Sequence, residues 1–402
     1  MTTVSLLLLA MYDLLKDGVV KSESFGLTTM IAEDFLIDKY KTGDSRIKLK
    51  PVKKDCAAYN ALFDEDTERE RGSNLTINYD YFYSRIRERV KDGEITIDLL
   101  FDAITRLQII DITLNKDDDN PQLIFESLNS TGLALSEGDK IRNFILMGLD
   151  VKEQNEYYEK YWSKIEVCTG YNVSGFVRDY LCVKLQTIPT ISKVYFTFKE
   201  YVEEREAEVN NFDSESLLKD MLSYAKRYEI LLKGNKKNDR LDFCIYRLNR
   251  LETTVTRPFL LEILRLQNEG KLTDSEVSEI FLYTENYVVR RSVCELGTNV
   301  LNKVFAALHH EIIRFDGTAD NYVAKFKYAL RSKIERSRFP GDEEFADAFS
   351  TRQIYLMNSK TKNYLLERLE NNNTIEDKNI YLHCDKGDYS IEHIMPRNLT
   401  PA

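Results

Sequence analysis

A long run of helical periodicity in the middle of the chain constrains the fold more than any other feature. Between about residues 151 and 373, apolar side chains recur every three to four positions, with breaks at short segments such as "CTGYN" and "ELGTN". The chain of 402 residues contains only 7 prolines and 16 glycines, which disfavours a turn-rich β architecture. We therefore expect a domain of roughly seven to nine helices here, without the fixed repeat period of a solenoid.

The regions on either side of this helical part have a more mixed pattern. "SRIKLKPV" (45–52) and "LQIIDITL" (107–114) predict short strands, and "IYLHC", "DKGD" and "YSIEHI" (380–394) together predict a β-hairpin. The expected fold class is therefore mainly α and multi-helical, with a few short strands in the N-terminal third and a C-terminal β-hairpin. Three domains follow from this pattern: a mixed, mostly helical one over 1–150, the helical domain over 151–373, and the beginning of another over 374–402.

The cysteines and the apolar opening indicate the compartment. The six cysteines are widely separated and form no CxxC pair, which is typical of reduced thiols in a cytosolic protein. "VSLLLLAMY" near the start is too short to span a membrane and lacks the basic residues that begin a signal peptide. We expect a cytoplasmic protein with no membrane partner.

The charge of the chain restricts any contact with nucleic acid to a local patch. The formal net charge is −10, so the surface as a whole would repel a polyanion. The densest basic stretch is "KFKYALRSKIERSR" (325–338), with cations at Lys325, Lys327, Arg331, Lys333, Arg336 and Arg338. Because these residues would spread around more than one helix face, a solvated surface is the simplest explanation, and a phosphate-binding track is the alternative.

The stretch "FESLNSTGLALSEGDKIRNFIL" (125–146) predicts a turn followed by a capped helix. Asn129 and Gly132 bracket the turn, and Ser136 is a natural N-cap with Asp139 three residues later. A well-capped helix is the simplest explanation. The alternative is a nucleotide contact at Asn129, Gly132 and Ser136, through free backbone amides at the helix start. Glu137 and Asp139 oppose it, because they place negative charge where an anion would bind.

The last segment, "IEHIMP" (391–396), contains an adjacent glutamate and histidine, Glu392 and His393. Such a pair is the kind that begins a metal-dependent nuclease site, although an ordinary structural role is common for these two residues. A zinc site that combines Cys384 with the histidines is not expected, since the ligands are too few and wrongly spaced.

Three stretches of the chain resemble the GmrSD-type family. The spacing F-E-x-x-N-x-x-G-x-x-L-S-x-x-D-x-x-x-N over 125–143 is similar to the family signature, although Arg142 stands where lysine is commoner. "TTVSLLLLAMYDLL" near the start is similar to the helix that follows the family's DGQQR motif, and 287–305 is similar to its helical region. The family comprises modification-dependent (type IV) restriction endonucleases with a DGQQR-motif, ParB/sulfiredoxin-like N-terminal domain and a C-terminal HNH nuclease domain.

The resemblance implies roles for the last residues of the chain. "YSIEHIMPRN" is similar to the strand of an HNH ββα unit, in which Glu392 would bind the metal ion and His393 would act as the general base. Full-length members are expected to sense modified foreign DNA in phage defence and to hydrolyse a nucleoside triphosphate. They are further expected to cut DNA with Mg²⁺ or a similar divalent ion.

The resemblance also implies a chain that is truncated at both ends. We therefore expect this polypeptide neither to hydrolyse nucleotide nor to cleave DNA, to bind no cofactor, and to keep His393 only as a vestige. The alternative is a non-catalytic helical binding or scaffold module that acts as a partner subunit or regulator. Such a module would self-associate or pair with a subunit that supplies the missing half.

Overall fold

The chain divides into two helical units. The structure is a computed structural model that describes residues 1–51, 53–64, 67–108, 135–147, 149–208, 213–234, 239–372 and 378–391. The units are Met1–Thr113 and Leu114–Ala402, and each has its own hydrophobic core. The three-domain division drawn from the sequence stays a prediction.

The first unit is built around its N-terminal helix. Its described helices are α1 (Thr2–Lys16), α2 (Leu27–Met30), α3 (Lys53–Ala61), α4 (Asn74–Lys91) and α5 (Ile97–Thr105), with a π-helical turn at Ile31–Leu36 and a 3-10 turn at Gly43–Arg46. Leu6, Leu9 and Leu14 follow helical spacing on α1 and are buried where α1 packs against α4 and the π-helical turn. Ser73 and Thr96 cap α4 and α5 by accepting hydrogen bonds from the backbone N–H groups of Leu75 and Leu99 (both 3.2 Å).

The second unit is a bundle of short and medium helices. Its described α-helices, in chain order from α6 to α19, are Glu137–Leu146, Val151–Tyr157, Ser163–Cys168, Val173–Leu185, Val194–Glu208, Ser214–Lys233, Asp239–Arg250, Arg257–Asn268, Asp274–Val293, Asn299–Ile313, Tyr322–Arg331, Asp342–Thr351, Ser359–Glu370 and Ile380–Lys386. A π-helical turn at Tyr158–Trp162 joins α7 to α8, and 3-10 turns lie at Ile191–Lys193, Thr254–Thr256, Glu335–Ser337 and Ile354–Leu356.

Helix α13 occupies the centre of this second unit. It packs against α9, α11, α14 and α15, and almost every side chain from Pro258 to Leu264 is buried. A surface helix would show a polar face, so the apolar sequence "PFLLEIL" is typical of a helix enclosed on all sides. Helix α6 also belongs to this unit, since it packs against α9 and α10.

The described part of the chain is mainly helical, and the strand predicted at 45–52 is wrong. Among the described residues there is no strand, only one isolated antiparallel bridge between Ile37 and Ile47. In 45–52, Ile47 is buried and the Lys48 ammonium binds the carbonyl groups of Glu33 and Asp34 at the π-helical turn. This arrangement gives the alternating pattern of a strand without a partner strand. The second predicted strand, 107–114, lies outside the described residues from position 109 onward.

The predicted C-terminal β-hairpin is also wrong, because "IYLHCDK" forms helix α19. Its first turn is fixed by Glu367, whose carboxylate accepts the Tyr381 backbone N–H at 2.7 Å, and the Tyr381 ring is buried. Gly387 ends the helix with φ of 80°. A glycine with positive φ is required both at a helix C-terminus and in a tight hairpin turn, so the "DKGD" signal does not separate the two.

In the part of the chain that the structure describes, no helix combines the length and the apolar character needed to cross a bilayer.

Candidate functional sites

Ser136 is the N-cap of α6. Its hydroxyl accepts the Asp139 backbone N–H at 3.1 Å and donates to the Asp139 carboxylate at 2.7 Å. The Gly138 N–H donates to the Ser174 hydroxyl at 2.9 Å, so two amides of the first turn already have partners. A nucleotide contact at this helix start would need free backbone amides and little negative charge. Neither condition is well met, because two amides are already bonded and the Asp139 carboxylate lies in the first turn. Asn129 and Gly132, the other predicted contacts, lie outside the described residues.

The six predicted DNA-contacting cations lie along α16 and the segment that follows it. Four of them form ion pairs: Lys325 with Asp316 (2.5 Å), Lys327 with Glu279, Lys333 with Glu311 (2.5 Å) and Arg338 with Glu344 (2.6 Å). Arg331 donates to the Tyr283 hydroxyl at 2.7 Å, and Arg336 is exposed. The stretch therefore carries less uncompensated positive charge than its sequence indicates, and Arg331 and Arg336 are its exposed arginines without a carboxylate contact among the described residues.

A buried arginine fixes the backbone of this basic segment. Arg291 on α14 is almost fully buried, and its guanidinium donates to the carbonyl groups of Arg336 (2.8 Å), Arg338 (3.1 Å) and Gly297 (2.9 Å). Burial lowers the pKa of Arg291 from its usual value. The three carbonyl dipoles offset part of the desolvation cost, and the Tyr287 hydroxyl, which donates to the Ser337 carbonyl at 2.6 Å, helps Arg291 to fix the backbone of 336–338.

The predicted nuclease pair, Glu392 and His393, lies outside the described residues. Just before it, His383 on α19 stacks on the Tyr389 ring with centroids 4.6 Å apart, and its Nδ1 contacts the Asp388 carboxylate at 3.2 Å. Within the described ranges, no three or more His, Cys, Asp or Glu side chains are grouped so as to hold a metal ion.

The first unit contains a cavity that the sequence did not reveal. It has a volume of about 820 Å³ and is lined by residues of α1 and α4 and by Ile37, Arg46, Leu62, Phe63, Asp64 and Arg69. On its wall the Tyr79 hydroxyl donates to the Asp13 carboxylate at 2.5 Å, and the Arg69 guanidinium lies 4.7 Å from the Tyr79 ring centre. Burial raises the pKa of Asp13 against the lowering effect of Tyr79 and Arg69. Arg46 and Lys16 complete a lining of mixed charge.

A second cavity, of about 680 Å³, lies within the second unit. We call it the α12–α19 cavity because α12 and α19 form most of its wall, with Lys360 from α18. Phe243 and Tyr246 line it while remaining 44% and 36% exposed. Arg250 also lines it, with its guanidinium 4.2 Å from the Tyr246 ring centre and 4.3 Å from that of Tyr381. Volumes of roughly 300–1,000 Å³ are typical of small-molecule sites.

Buried charged groups connect α12 with α14 and α18. Glu285 on α14 is 2% exposed and receives the Arg247 guanidinium (2.7 Å from Nε) and the Tyr364 hydroxyl. Glu367 on α18 lies 3.9 Å from the Arg250 Nε atom. Removing either carboxylate would leave an arginine without its carboxylate partner.

The comparisons with known proteins establish the family. The chain matches the N-terminal domain of the GmrSD restriction endonucleases over residues 1–146 and their C-terminal domain over residues 339–401. Both matches define a restriction-type endonuclease, a class of protein that acts on DNA. The chain belongs to the GmrSD restriction endonuclease family, as its sequence motifs predicted. Among curated proteins, no match to this chain was found.

The candidate sites lie at different positions relative to the two family matches. The cavity of the first unit and the Ser136 cap lie within the N-terminal match, whereas the basic segment up to Arg338 lies between the matches. The wall of the α12–α19 cavity contains residues from inside and from outside the matched ranges. Its α12 wall lies between the matches, and Lys360, Asn379 and Tyr381 lie within the C-terminal match.

Proposed function

We propose that this chain is the DNA-engaging helical part of a restriction-type endonuclease that senses modified foreign DNA. The observation that carries the proposal is the joint match to the N-terminal and C-terminal domains of one endonuclease family. In the full-length family, sensing would be coupled to hydrolysis of a nucleoside triphosphate and to cleavage of the phosphodiester backbone with Mg²⁺ or a similar ion.

Two residues would supply the cleavage chemistry. Glu392 offers carboxylate oxygen, the ligand that a hard divalent cation prefers, and His393 is the candidate general base for the attacking water. A bound Mg²⁺ would stabilise the negative charge that develops on the phosphate. One carboxylate with one neighbouring histidine is a weak ligand set, so we propose that the 402-residue polypeptide does not cut DNA by itself.

The DNA contact would involve the basic segment on and after α16. Arg331 and Arg336 are its exposed arginines, and guanidinium groups bind phosphate oxygens in a bidentate manner. The paired cations, such as Lys325 and Lys333, would contribute only by exchanging a carboxylate for a phosphate. The proposed role of Ser136 in a nucleotide pocket, together with Asn129 and Gly132, requires the phosphate to lie beside the capped turn rather than on its amides.

A plasmid assay tests the function. The purified chain is incubated with supercoiled plasmid and Mg²⁺, and binding and nicking are separated on a gel. We expect retarded plasmid and no nicked circles. Absence of retardation would contradict the DNA-engaging role. Metal-dependent nicking that disappears in His393→Ala would contradict the proposed lack of cleavage.

The second candidate function is a non-catalytic scaffold that acts as a partner subunit or regulator. The observation that favours it is the neutralised basic segment, in which four of six cations have carboxylate partners. Such pairs are typical of a surface adapted to water or to another protein rather than to a polyanion. Retention of self-association in a chain that leaves the plasmid unshifted would support this alternative.

A further inference from the structure

The α12–α19 cavity has the composition of a stacking site for a planar ring. Two aromatic rings, Phe243 and Tyr246, line it and remain partly exposed, although the second unit buries most of its large aromatic side chains. The Arg250 guanidinium is sandwiched between Tyr246 and Tyr381 at 4.2 and 4.3 Å, which holds the Tyr246 ring in place from one side. The Tyr246 ring is therefore pre-organised, so little side-chain entropy would be lost when a flat ligand stacks on it.

Side-chain amides at the same wall provide hydrogen-bonding groups. The Tyr246 hydroxyl donates to Asn379 Oδ1 at 2.9 Å, which fixes the orientation of that amide. Because Oδ1 accepts this bond, the two hydrogens on Asn379 Nδ2 are the donors that the amide can offer to a ligand. Asn249 also lines the cavity and is held by its own bond to the Leu231 carbonyl (2.9 Å). Amide groups of this kind recognise the edge of a nucleobase.

Arg250 forms a buried part of the cavity wall. It is 6% exposed, and its Nη2 atom is buried without a hydrogen-bond partner among the described residues. That atom has almost no accessible surface, so a ligand in the cavity would not reach it. Arg250 instead supports the Tyr246 and Tyr381 rings, which its guanidinium contacts.

The charges at the wall argue against a free phosphate as the occupant. Lys360 already has two carboxylate partners, Asp385 at 2.8 Å and Glu252 at 3.2 Å, and Lys233 is paired with Glu229 at 2.9 Å. An anionic ligand would have to displace these pairs, whereas a neutral aromatic ring would not. The lining therefore suits the base of a nucleotide whose phosphates stay outside.

We propose that the α12–α19 cavity accepts one unstacked base of a DNA strand, stacked on Tyr246 and Phe243 and bonded through Asn379. This inference rests on the proposed function, because the family's substrate supplies the strand. Since the cavity wall includes Lys360, Asn379 and Tyr381 of the C-terminal match, a base held here would place its strand beside the segment that leads to the predicted nuclease pair.

The test uses a single-stranded oligonucleotide of about 12 residues that carries 2-aminopurine at one central position and fluorescein at one end. Fluorescein anisotropy measures binding of the strand, and 2-aminopurine emission falls when that base stacks on an aromatic ring. With the full chain we expect both signals. In Tyr246→Ala and in Phe243→Ala we expect the affinity to fall at least about fivefold and the quenching to be lost. Tyr246→Phe keeps the ring but removes the hydroxyl that orients Asn379, so it should retain the quenching and lose less affinity than Tyr246→Ala.

The matched control is an exposed aromatic residue outside the cavity. Phe196→Ala removes an aromatic side chain that is 57% exposed on α10 and does not line the cavity, so it should change neither signal. Loss of quenching in both cavity variants, with unchanged circular dichroism, supports the proposal. Anisotropy and quenching that are the same in the wild type and both cavity variants would overturn the base site while leaving DNA binding intact. Absence of any anisotropy change with the wild type would overturn the proposed function and the base site together.

Discussion

The interiors of the two units differ in how much charge they contain. In the first unit, the buried residues that the structure describes are apolar except for Thr76. The second unit buries an extensive set of ionisable side chains, namely Asp179, Arg227, Arg250, Glu262, Glu285, Arg291, His309 and Glu367. Burying a charge is costly unless it is paired and hydrogen-bonded, so the second unit depends on specific partners and the first on packing volume.

Glu262 shows how the second unit accommodates such charges. Its carboxylate accepts the Tyr224 hydroxyl at 2.7 Å and two hydrogen bonds from the Arg265 guanidinium at 2.8 and 2.9 Å. Burial raises the pKa of Glu262, but Arg265, His309 and Tyr224 together outweigh burial, and the pKa is lowered overall. The two units should therefore respond differently to substitution: the second should be most sensitive at its pairs, and the first wherever a buried apolar side chain is shortened.

The largest effect should come from breaking a buried pair in the second unit. Glu285→Ala leaves Arg247 and the Tyr364 hydroxyl without their acceptor, and we expect the free energy of unfolding to fall by about 3–5 kcal/mol. Trp162 is the single tryptophan and is buried in the second unit, so its fluorescence during urea unfolding reports on that unit. Glu279→Ala on the same helix removes the half-exposed partner of Lys327 and should cost less than about 1 kcal/mol. Equal losses in the two variants would remove the distinction between buried and surface pairs.

A cavity-forming substitution should be the corresponding weakness of the first unit. Leu14 is fully buried on α1, and Leu14→Ala should cost about 2–5 kcal/mol. The loss should appear in far-ultraviolet circular dichroism and leave the Trp162 transition in place. Leu99→Ala, at a position that is 59% exposed on α5, should stay within about 0.5 kcal/mol. If Leu14→Ala shifts the unfolding transition followed by Trp162 fluorescence as far as the one followed by circular dichroism, the proposed difference between the two units is wrong.

A smaller effect should appear as a pH dependence confined to the second unit. Burial raises the pKa of Asp179 to about 7, although Arg257 and Arg178 lower it in part. The unfolded chain releases this proton near the ordinary value of 3.8, so between about pH 4 and 7 the folded state holds the extra proton and stability falls as pH rises. Asp179→Asn does not titrate. It should therefore gain stability over the wild type, on the order of 4 kcal/mol at pH 8, with little difference at pH 4.

The contribution of His309 to the pH dependence of stability has the opposite sign, so it must be distinguished from the contribution of Asp179. Burial lowers the pKa of His309 to about 4 from 6.5, against the attraction of Glu262, so its contribution to stability is lost as pH falls from about 6.5 to 4. Because His309 titrates equally in the wild type and in Asp179→Asn, the difference between the two proteins at each pH isolates Asp179. A difference that stays constant from pH 4 to 8 would show that the Asp179 carboxyl does not titrate in this range.

The sequence predicted the parts of this fold that depend on local spacing. The helical period of 151–373 and the Ser136 cap are both visible in a few consecutive residues, and both are present in the structure. The predictions of a strand at 45–52 and of a C-terminal hairpin were wrong because they also relied on local patterns. A short alternating segment such as 45–52, or a glycine turn such as that at Gly387, is compatible with more than one structure. Tertiary contacts decide between these structures.

The candidate cavities could not be predicted, because their walls come from distant parts of the chain. Tyr246 and Asn379 are separated by 133 residues and meet only because α12 and α19 are neighbours. The ion pairs of the basic segment could not be predicted either, because their partners are distant in the sequence. Lys327 meets Glu279 across 48 residues, and no local pattern reveals that its charge is neutralised. The family motifs, by contrast, were readable as fixed spacings within one stretch, and the family they predicted is confirmed.

We propose that this acidic chain engages DNA through a local basic surface of its second unit. The most direct measurement is the affinity of the full chain for a fluorescein-labelled duplex between about 50 and 200 mM salt. We predict binding whose logarithm falls linearly with log salt concentration, with a slope reduced by about one for each of Arg331→Ala and Arg336→Ala. Lys271→Ala, an exposed lysine on the loop before α14, should leave the slope unchanged. No binding at about 50 mM salt, or a slope that is the same in all variants, would contradict the claim.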